Sequence, residues 1–119
     1  MRRMIRDSWR RNLQPLETLT HWHHFRASEL RNIIPFIKSV GYVVNSALPF
    51  ELTILKHHLD DYFPTAISTY KNEPKRQDAY IRAKRVKEFL DGMIAIADDS
   101  AIGGESLVRE FIGGSDYAY

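Results

Sequence analysis

Arginines concentrated at the start of this 119-residue chain are the residues best suited to chemistry. The sequence begins MRRMIRDSWRRN, with Asp7 as its one acidic residue. Helical spacing brings Arg3, Arg6 and Arg10 to one face, with Arg2 and Asp7 beside them. Guanidinium groups gathered in this way repel one another unless an anion or carboxylates neutralise them, and their planar forks match phosphate. The stretch predicts a phosphate-binding patch, or else a basic helix end that is solvated or faces nucleic acid.

The charge of the chain is small but unevenly distributed. The formal net charge is +2. Residues 1–31 contain seven arginines and three acidic residues, which gives +4, whereas the remaining residues carry −2. An anionic ligand is therefore expected at the N-terminal quarter.

The composition is that of a folded soluble domain, with 44% hydrophobic and 27% charged residues. No apolar run approaches the roughly 18–20 residues that span a bilayer. The absence of cysteine excludes disulfides, thiolate metal ligands and a cysteine nucleophile. His21 and His24 could share a metal ion, but no carboxylate stands at a spacing that completes the set. We predict a single cytoplasmic domain with no metal site and no membrane partner.

Hydrophobic periodicity predicts a mainly α fold of about five helices with one or two short strands. The predicted helices cover residues 2–11, 15–34, 49–63, 65–70 and 75–97. The run at Tyr42–Val44 is typical of a buried strand, and a second strand is predicted near residues 107–111. A strand that leads directly into a helix belongs to an α/β layer, but a single strand cannot pair with itself. A strand with no partner strand in its own chain indicates that these residues are part of a larger α/β protein.

Several segments, in order along the chain, resemble uridine kinase-like proteins of the phosphoribulokinase/uridine kinase family. Residues 45–56, NSALPFELTILK, are similar to the family's FNSALPYELAVLK, and residues 106–115, SLVREFIGGS, are similar to its closing SILREFIGGS. The start of the chain resembles the lid pattern RRIVRD…RG, followed by ETL..W at residues 17–22. Residues 26–36 resemble the stretch VRxGE…IFPF.

The resemblance implies the C-terminal fragment of an α/β P-loop kinase fold. Residues 1–38 would form the arginine-rich lid helices, and residues 39–119 the strand–helix and C-terminal helical part of the same domain. The implied reaction is transfer of a phosphoryl group from ATP, with Mg²⁺, to a hydroxyl of a nucleoside or related acceptor. Such catalysis consists mostly of positioning and of neutralising charge on the phosphoryl oxygens.

Transferred residue by residue, the resemblance assigns roles to six positions and identifies no catalytic residue and no metal ligand. The phosphate-binding lid residues would be Arg2, Arg3, Arg6 and Arg11. Asp7 would orient an arginine through a charged hydrogen bond. Arg26 would lie on the acceptor side of the site.

Two departures from the family pattern limit what this chain can do. Asn12 replaces the glycine of the lid, and none of the 119 residues forms a Gly-x-x-x-x-Gly-Lys-Ser/Thr loop. Without that loop nothing cradles the β- and γ-phosphates or holds Mg²⁺. The nucleotide-binding strands and catalytic acid would precede Met1. The chain alone is therefore expected to be inactive, to bind no cofactor tightly, and to meet a nucleotide or sugar phosphate only through a P-loop half.

Two other interpretations remain open at this stage. The chain could be a stand-alone helical interaction module that binds phosphate-rich ligands or a protein partner. It could also be an inactive paralogue that forms a homo-oligomer or pairs with a P-loop kinase, because an unpaired strand edge tends to find a partner. Under the kinase interpretation, nucleic acid is not an expected ligand.

Overall fold

The computed structural model describes residues 1–12 and 14–117. Within these residues the chain forms six α-helices, which confirms the mainly α class. They are α1 (Arg2–Arg10), α2 (Pro15–Asn32), α3 (Glu51–Leu59), α4 (Tyr62–Tyr70), α5 (Gln77–Asp91) and α6 (Arg109–Ile112). Two 3₁₀ turns, Ile34–Phe36 and Pro74–Arg76, follow α2 and precede α5. In the part of the chain that the structure describes, no helix is both long and apolar enough to cross a membrane.

Neither predicted strand is present among the described residues. Residues 42–48 have no regular secondary structure, and the run near residues 107–111 leads into α6. The first strand fails because a strand needs neighbouring backbone to pair with, and the surrounding elements of this chain are helices. The second fails because a short apolar run does not distinguish a strand from a helical turn.

Three helices are shorter than predicted, each for a local reason. Helix α2 ends at Asn32, because Pro35 disfavours helical geometry in the residue before it. The predicted helix from Pro49 to Phe63 is split between α3 and α4 at residues 60–61. Helix α5 ends at Asp91, where Gly92 follows, and glycine propagates a helix poorly. Residues 92–97 therefore lie outside the helix that the apolar pattern predicts for them.

The hydrophobic core lies where α1, α2, α3, α4 and α5 meet. Helices α4 and α5 make the most extensive contact. Ala66 of α4 and Ala79 and Ala83 of α5 are completely buried in the core. Small side chains let two helices approach closely. Leu59 and Phe63 are also completely buried and belong to the same core cluster as residues of α1. This core fixes α1, and with it the arginines, against the rest of the chain.

The chain is less compact than an independent domain of its size. Its radius of gyration is 15.8 Å, against about 13.5 Å expected for this length. Its accessible surface is 8233 Å², against about 6,700 Å² for a folded monomer of this mass. The excess of about 1,500 Å² is comparable to one partner's share of a permanent protein–protein interface.

Lys56 is a buried cation that joins α3 to the end of α5. Its Nζ donates a hydrogen bond to the carbonyl oxygen of Leu90 at 3.0 Å and lies 3.4 Å from the carboxylate of Asp60. The carbonyls of a last helical turn lack intrahelical partners, so the ammonium group caps α5.

We expect Lys56→Met to lower the free energy of unfolding by about 1–3 kcal/mol, because it removes a buried charged hydrogen bond to Leu90 and the cationic partner of Asp60. Urea denaturation measures the change. The matched control, Lys84→Met, removes an exposed lysine of α5 and should change stability by less than about 0.5 kcal/mol. Equal stability of the two variants would contradict the capping role.

Candidate functional site: an arginine-lined cleft

A cleft of about 570 Å³ lies between α1, α2 and the start of α3. Its lining includes Arg2, Arg3 and Arg6 from α1, residues 45–48 from the loop before α3, and Phe111 from α6. The lining residues of α1, of the loop before α3 and of α6 belong to three separate stretches of the chain, residues 1–12, 45–56 and 106–115. Segments that lie far apart in the sequence are therefore brought to one place by the fold.

Arg2 anchors the cleft by joining α1 to the start of α3. Its guanidinium forms a two-pronged contact with the carboxylate of Glu51, with Nη2 at 2.6 Å from Oε2. It also donates to the carbonyl oxygen of Ser46 at 2.6 Å and to the Ser46 hydroxyl at 3.0 Å. Two parallel N–H donors fix both charges in orientation. Most N–H groups of the Arg2 guanidinium are therefore engaged in contacts within the chain. Its main partner is the buried carboxylate of Glu51.

The contact with Arg2 changes the acidity of Glu51. The hydrogen bond from the Arg2 guanidinium lowers the pKa of the Glu51 carboxyl below its ordinary value of 4.5, although burial acts in the opposite direction. A lowered pKa in the folded state contributes stability that is fully present above pH 4.5 and is lost as the pH falls further. The contact between Arg2 and Glu51 should therefore contribute less stability to the cleft below pH 4.5.

We expect Glu51→Gln to lower the free energy of unfolding at pH 7 by about 2 kcal/mol, because it removes a charged, buried acceptor. The variant should also lose part of the decrease in stability that the unmodified chain shows below pH 4.5. Urea denaturation between pH 3 and pH 7 (about the range in which carboxylates titrate) measures both effects. Glu105→Gln, at an exposed position, is the control. An unchanged pH profile in Glu51→Gln would contradict this account.

Asp7 is a buried carboxylate surrounded by three arginines. It is 2% exposed. Nε of Arg3 donates to its Oδ2 at 3.3 Å, and nitrogens of Arg6 and Arg11 lie 3.7 Å and 3.6 Å from its Oδ1. A carboxylate at this position offsets the mutual repulsion of the three guanidinium groups and holds them close together.

Arg6 has the weakest internal contacts of the arginines that line the cleft. Its nitrogens lie 3.7 Å from Asp7 and 3.8 Å from Glu110, both beyond hydrogen-bonding distance. Within the described residues, its buried Nε has no hydrogen-bond partner. Arg3, in contrast, stacks on the ring of Phe25, with its guanidinium carbon 3.6 Å from the ring centroid. Arg6 is therefore the cleft residue with N–H groups to offer to an anion.

The other two predicted arginines lie farther out. Arg11 pairs with Asp7 but is more than half exposed, and it is not among the described residues that line the cleft. Arg26 is also exposed and pairs with Glu29 at 3.1 Å. Glu29 itself contributes to the cleft. The structure thus brings Arg2, Arg3, Arg6 and Asp7 together and leaves Arg11 and Arg26 at the margin.

The backbone after α1 has the geometry expected where the family pattern has glycine. Asn12 adopts a φ of +50°. Asparagine is one of the few residues other than glycine that visits this left-handed region at modest cost. Asparagine is therefore compatible with the left-handed backbone at this position.

Sequence reasoning missed two groups of contacts that shape the site. From the sequence Glu51 is only a position in a helix, because an acidic residue suits any first helical turn and does not reveal a distant arginine. Arg109 was noticed only within its segment. It donates to the carboxylate of Asp99 at 2.9 Å and to the carbonyl oxygen of Ile102 at 2.8 Å. It thereby holds the loop that precedes α6 and positions Phe111 and Glu110 at the cleft.

No family model, no curated protein and no solved structure matches this chain in the comparisons with known proteins. The chemistry of the cleft therefore has to be derived from its own residues. Among the described residues, Asp7, Glu51 and Glu110 form ion pairs with four arginines, at positions 2, 3, 6 and 11. Of these arginines, Arg6 has N–H groups to direct toward an anion, because its contacts with Asp7 and Glu110 are longer than hydrogen bonds.

Proposed function

We propose that this chain is the lid and C-terminal segment of an ATP-dependent, uridine kinase-like phosphotransferase. It acts together with a P-loop half that these 119 residues do not contain. The observation that supports the proposal best is the convergence of three family-like segments on one cleft. Chance similarity in separate segments gives no reason for them to meet in the folded chain.

The arginines suit the chemistry of phosphoryl transfer. The transition state spreads negative charge over the phosphoryl oxygens, and donors already held in position stabilise it without reorganisation. In this proposal Arg6 and Arg3 reach the transferring phosphate, and Asp7 keeps both guanidinium groups oriented. Arg2 has a structural role and holds the lid helix on α3.

The P-loop half would supply the groups that this chain lacks. A Walker A loop binds the β- and γ-phosphates through backbone N–H groups, and its hydroxyl holds Mg²⁺. ATP and Mg²⁺ are accordingly cofactors of the complete enzyme and not of this chain alone. A nucleoside, with uridine as the first candidate, would be the acceptor. Because ATP is the donor, we expect the enzyme to be cytoplasmic.

Nucleotide binding tests this proposal. The chain is co-expressed with the Walker A-bearing half of a uridine kinase-like protein, and Mg·ATP is titrated calorimetrically into the complex, into that half alone and into the chain alone. We expect the complex to bind ATP at least about tenfold more tightly than the P-loop half, which corresponds to about 1.4 kcal/mol. The chain alone should show no binding.

An affinity of the P-loop half for ATP that is unchanged by the chain would contradict the proposal. A second titration, of the chain alone with inorganic polyphosphate, provides the other contradicting outcome: binding with a steep dependence on salt and no effect of the P-loop half. The second outcome would favour the stand-alone interaction module.

A further inference from the structure

Residues 33–50 form an exposed apolar segment between α2 and α3, which we call the 33–50 segment. Nine of its large apolar side chains are exposed: Ile33, Ile34, Phe36, Ile37, Val40, Tyr42, Val43, Val44 and Phe50. Large apolar side chains exposed in this number within one stretch of chain are typical of an interaction site. The segment also lies within a chain whose total surface exceeds that of a compact monomer by about 1,500 Å².

The middle of this segment also has backbone that is free to pair with another strand. Among the described residues, no backbone–backbone hydrogen bond involves residues 41–46. These residues have β-branched and aromatic side chains at positions 42–44. An unpaired run of this kind can add itself as a strand to the edge of another sheet, where main-chain hydrogen bonds supply much of the affinity.

The exposure of consecutive side chains indicates what kind of sheet this strand would join. Tyr42, Val43 and Val44 are 84%, 63% and 73% exposed. In a strand, neighbouring side chains point to opposite faces, so an apolar run of three requires cover on both faces. Sheets covered on both faces are typical of parallel α/β proteins, in which helices pack on each side.

A second copy of this chain meets these requirements poorly. It would contribute one more strand of the same kind, because the described residues contain no other, and an isolated two-stranded ribbon is marginally stable in water. An α/β sheet already has several strands and helices on both faces. The excess surface of about 1,500 Å² also corresponds to the large, permanent class of interface.

We propose that the 33–50 segment docks on an α/β partner by adding residues 42–44 as a strand to the edge of the partner's sheet. The identification of that partner as the P-loop half rests on the proposed function. The docking surface itself rests on the exposed apolar side chains, the unpaired backbone of residues 41–46 and the excess accessible surface. The 3₁₀ turn Ile34–Phe36 would pack on one face of the extended sheet.

Hydrogen exchange and affinity measurements test the docking surface. The chain is co-expressed with the Walker A-bearing half used above, and amide exchange of residues 42–44 is compared in the free chain and in the complex. We expect at least about 100-fold slower exchange in the complex. Val43→Lys should weaken the complex at least tenfold, because it places a charge on a face that becomes buried. Ile81→Lys, at a similarly exposed position of α5, should leave the affinity unchanged.

The design separates misfolding from lost docking, since Val43 is exposed in the free chain and both lysine variants should unfold at the same urea concentration. A complex without protection of residues 42–44, or the same affinity in both variants, would overturn the inference. A homodimer that protects these amides in the absence of the partner would also overturn it. Protected amides in a complex that neither binds ATP more tightly nor phosphorylates uridine would support the docking surface and reject the proposed function.

Discussion

Arg6→Gln is expected to lower the rate of uridine phosphorylation by the complex of this chain with a P-loop half by about 10²–10³-fold. Loss of one donor that stabilises transition-state charge has an effect of this size in enzymes that depend on preorganised electrostatics. Arg6 is the residue to replace because it lines the cleft and is held only by contacts of 3.7 Å and 3.8 Å. Glutamine keeps much of the side-chain length and removes the charge.

The kinetic parameters distinguish a role in the transition state from a role in folding. If Arg6 contacts the transferring phosphate, kcat should fall while KM for uridine changes little. Arg31→Gln removes an exposed arginine of α2, outside the lining of the cleft, and should leave kcat within about twofold. A decrease of the same size in both variants would indicate a general electrostatic effect. Normal kcat in Arg6→Gln would remove Arg6 from the phosphate site.

Asp7→Asn is expected to cause the largest loss of stability among the charged positions, about 2–3 kcal/mol. Removing one partner of a buried ion pair typically costs about 3–5 kcal/mol, and the partial exposure of the arginines reduces this value. The three guanidinium groups would then repel one another with no buried carboxylate between them. Urea denaturation of the isolated chain measures the change.

Asp78→Asn provides the comparison for this prediction. Asp78 lies on α5 with its side chain 46% exposed, and it forms a surface ion pair with Arg82 at 3.5 Å. Such pairs contribute about 0–1 kcal/mol. Stability of Asp7→Asn equal to that of Asp78→Asn would show that the arginine cluster does not depend on Asp7.

Helices α1 to α5 could be predicted from the sequence because each has a local cause. Pro15 suits a first helical turn, and α2 begins there. The apolar spacing of Ala79, Ala83 and Leu90 gives α5 its buried face. These signals act within a few turns of chain and do not require knowledge of the rest of the fold.

The strand and the charge partners could not be predicted in this way, because both depend on distant groups. Tyr42–Val44 has the side chains of a strand, but the described residues of this chain offer it no neighbouring backbone. Arg2 was expected to face phosphate, but it contacts Glu51, which lies 49 positions away in the sequence. The packing of the helices decides which carboxylate forms an ion pair with a given arginine. Hydrophobic periodicity carries no information about this pairing.

Phosphoryl transfer to uridine is the most direct test of the claim that this cleft works with a P-loop half. The initial rate is measured with Mg·ATP and uridine for the chain, for the Walker A-bearing half and for their co-expressed complex. Turnover in the complex, with none in the chain and at most a small fraction of that rate in the isolated half, is the predicted result. Robust turnover by this chain alone, or a complex no faster than the isolated half, would contradict it.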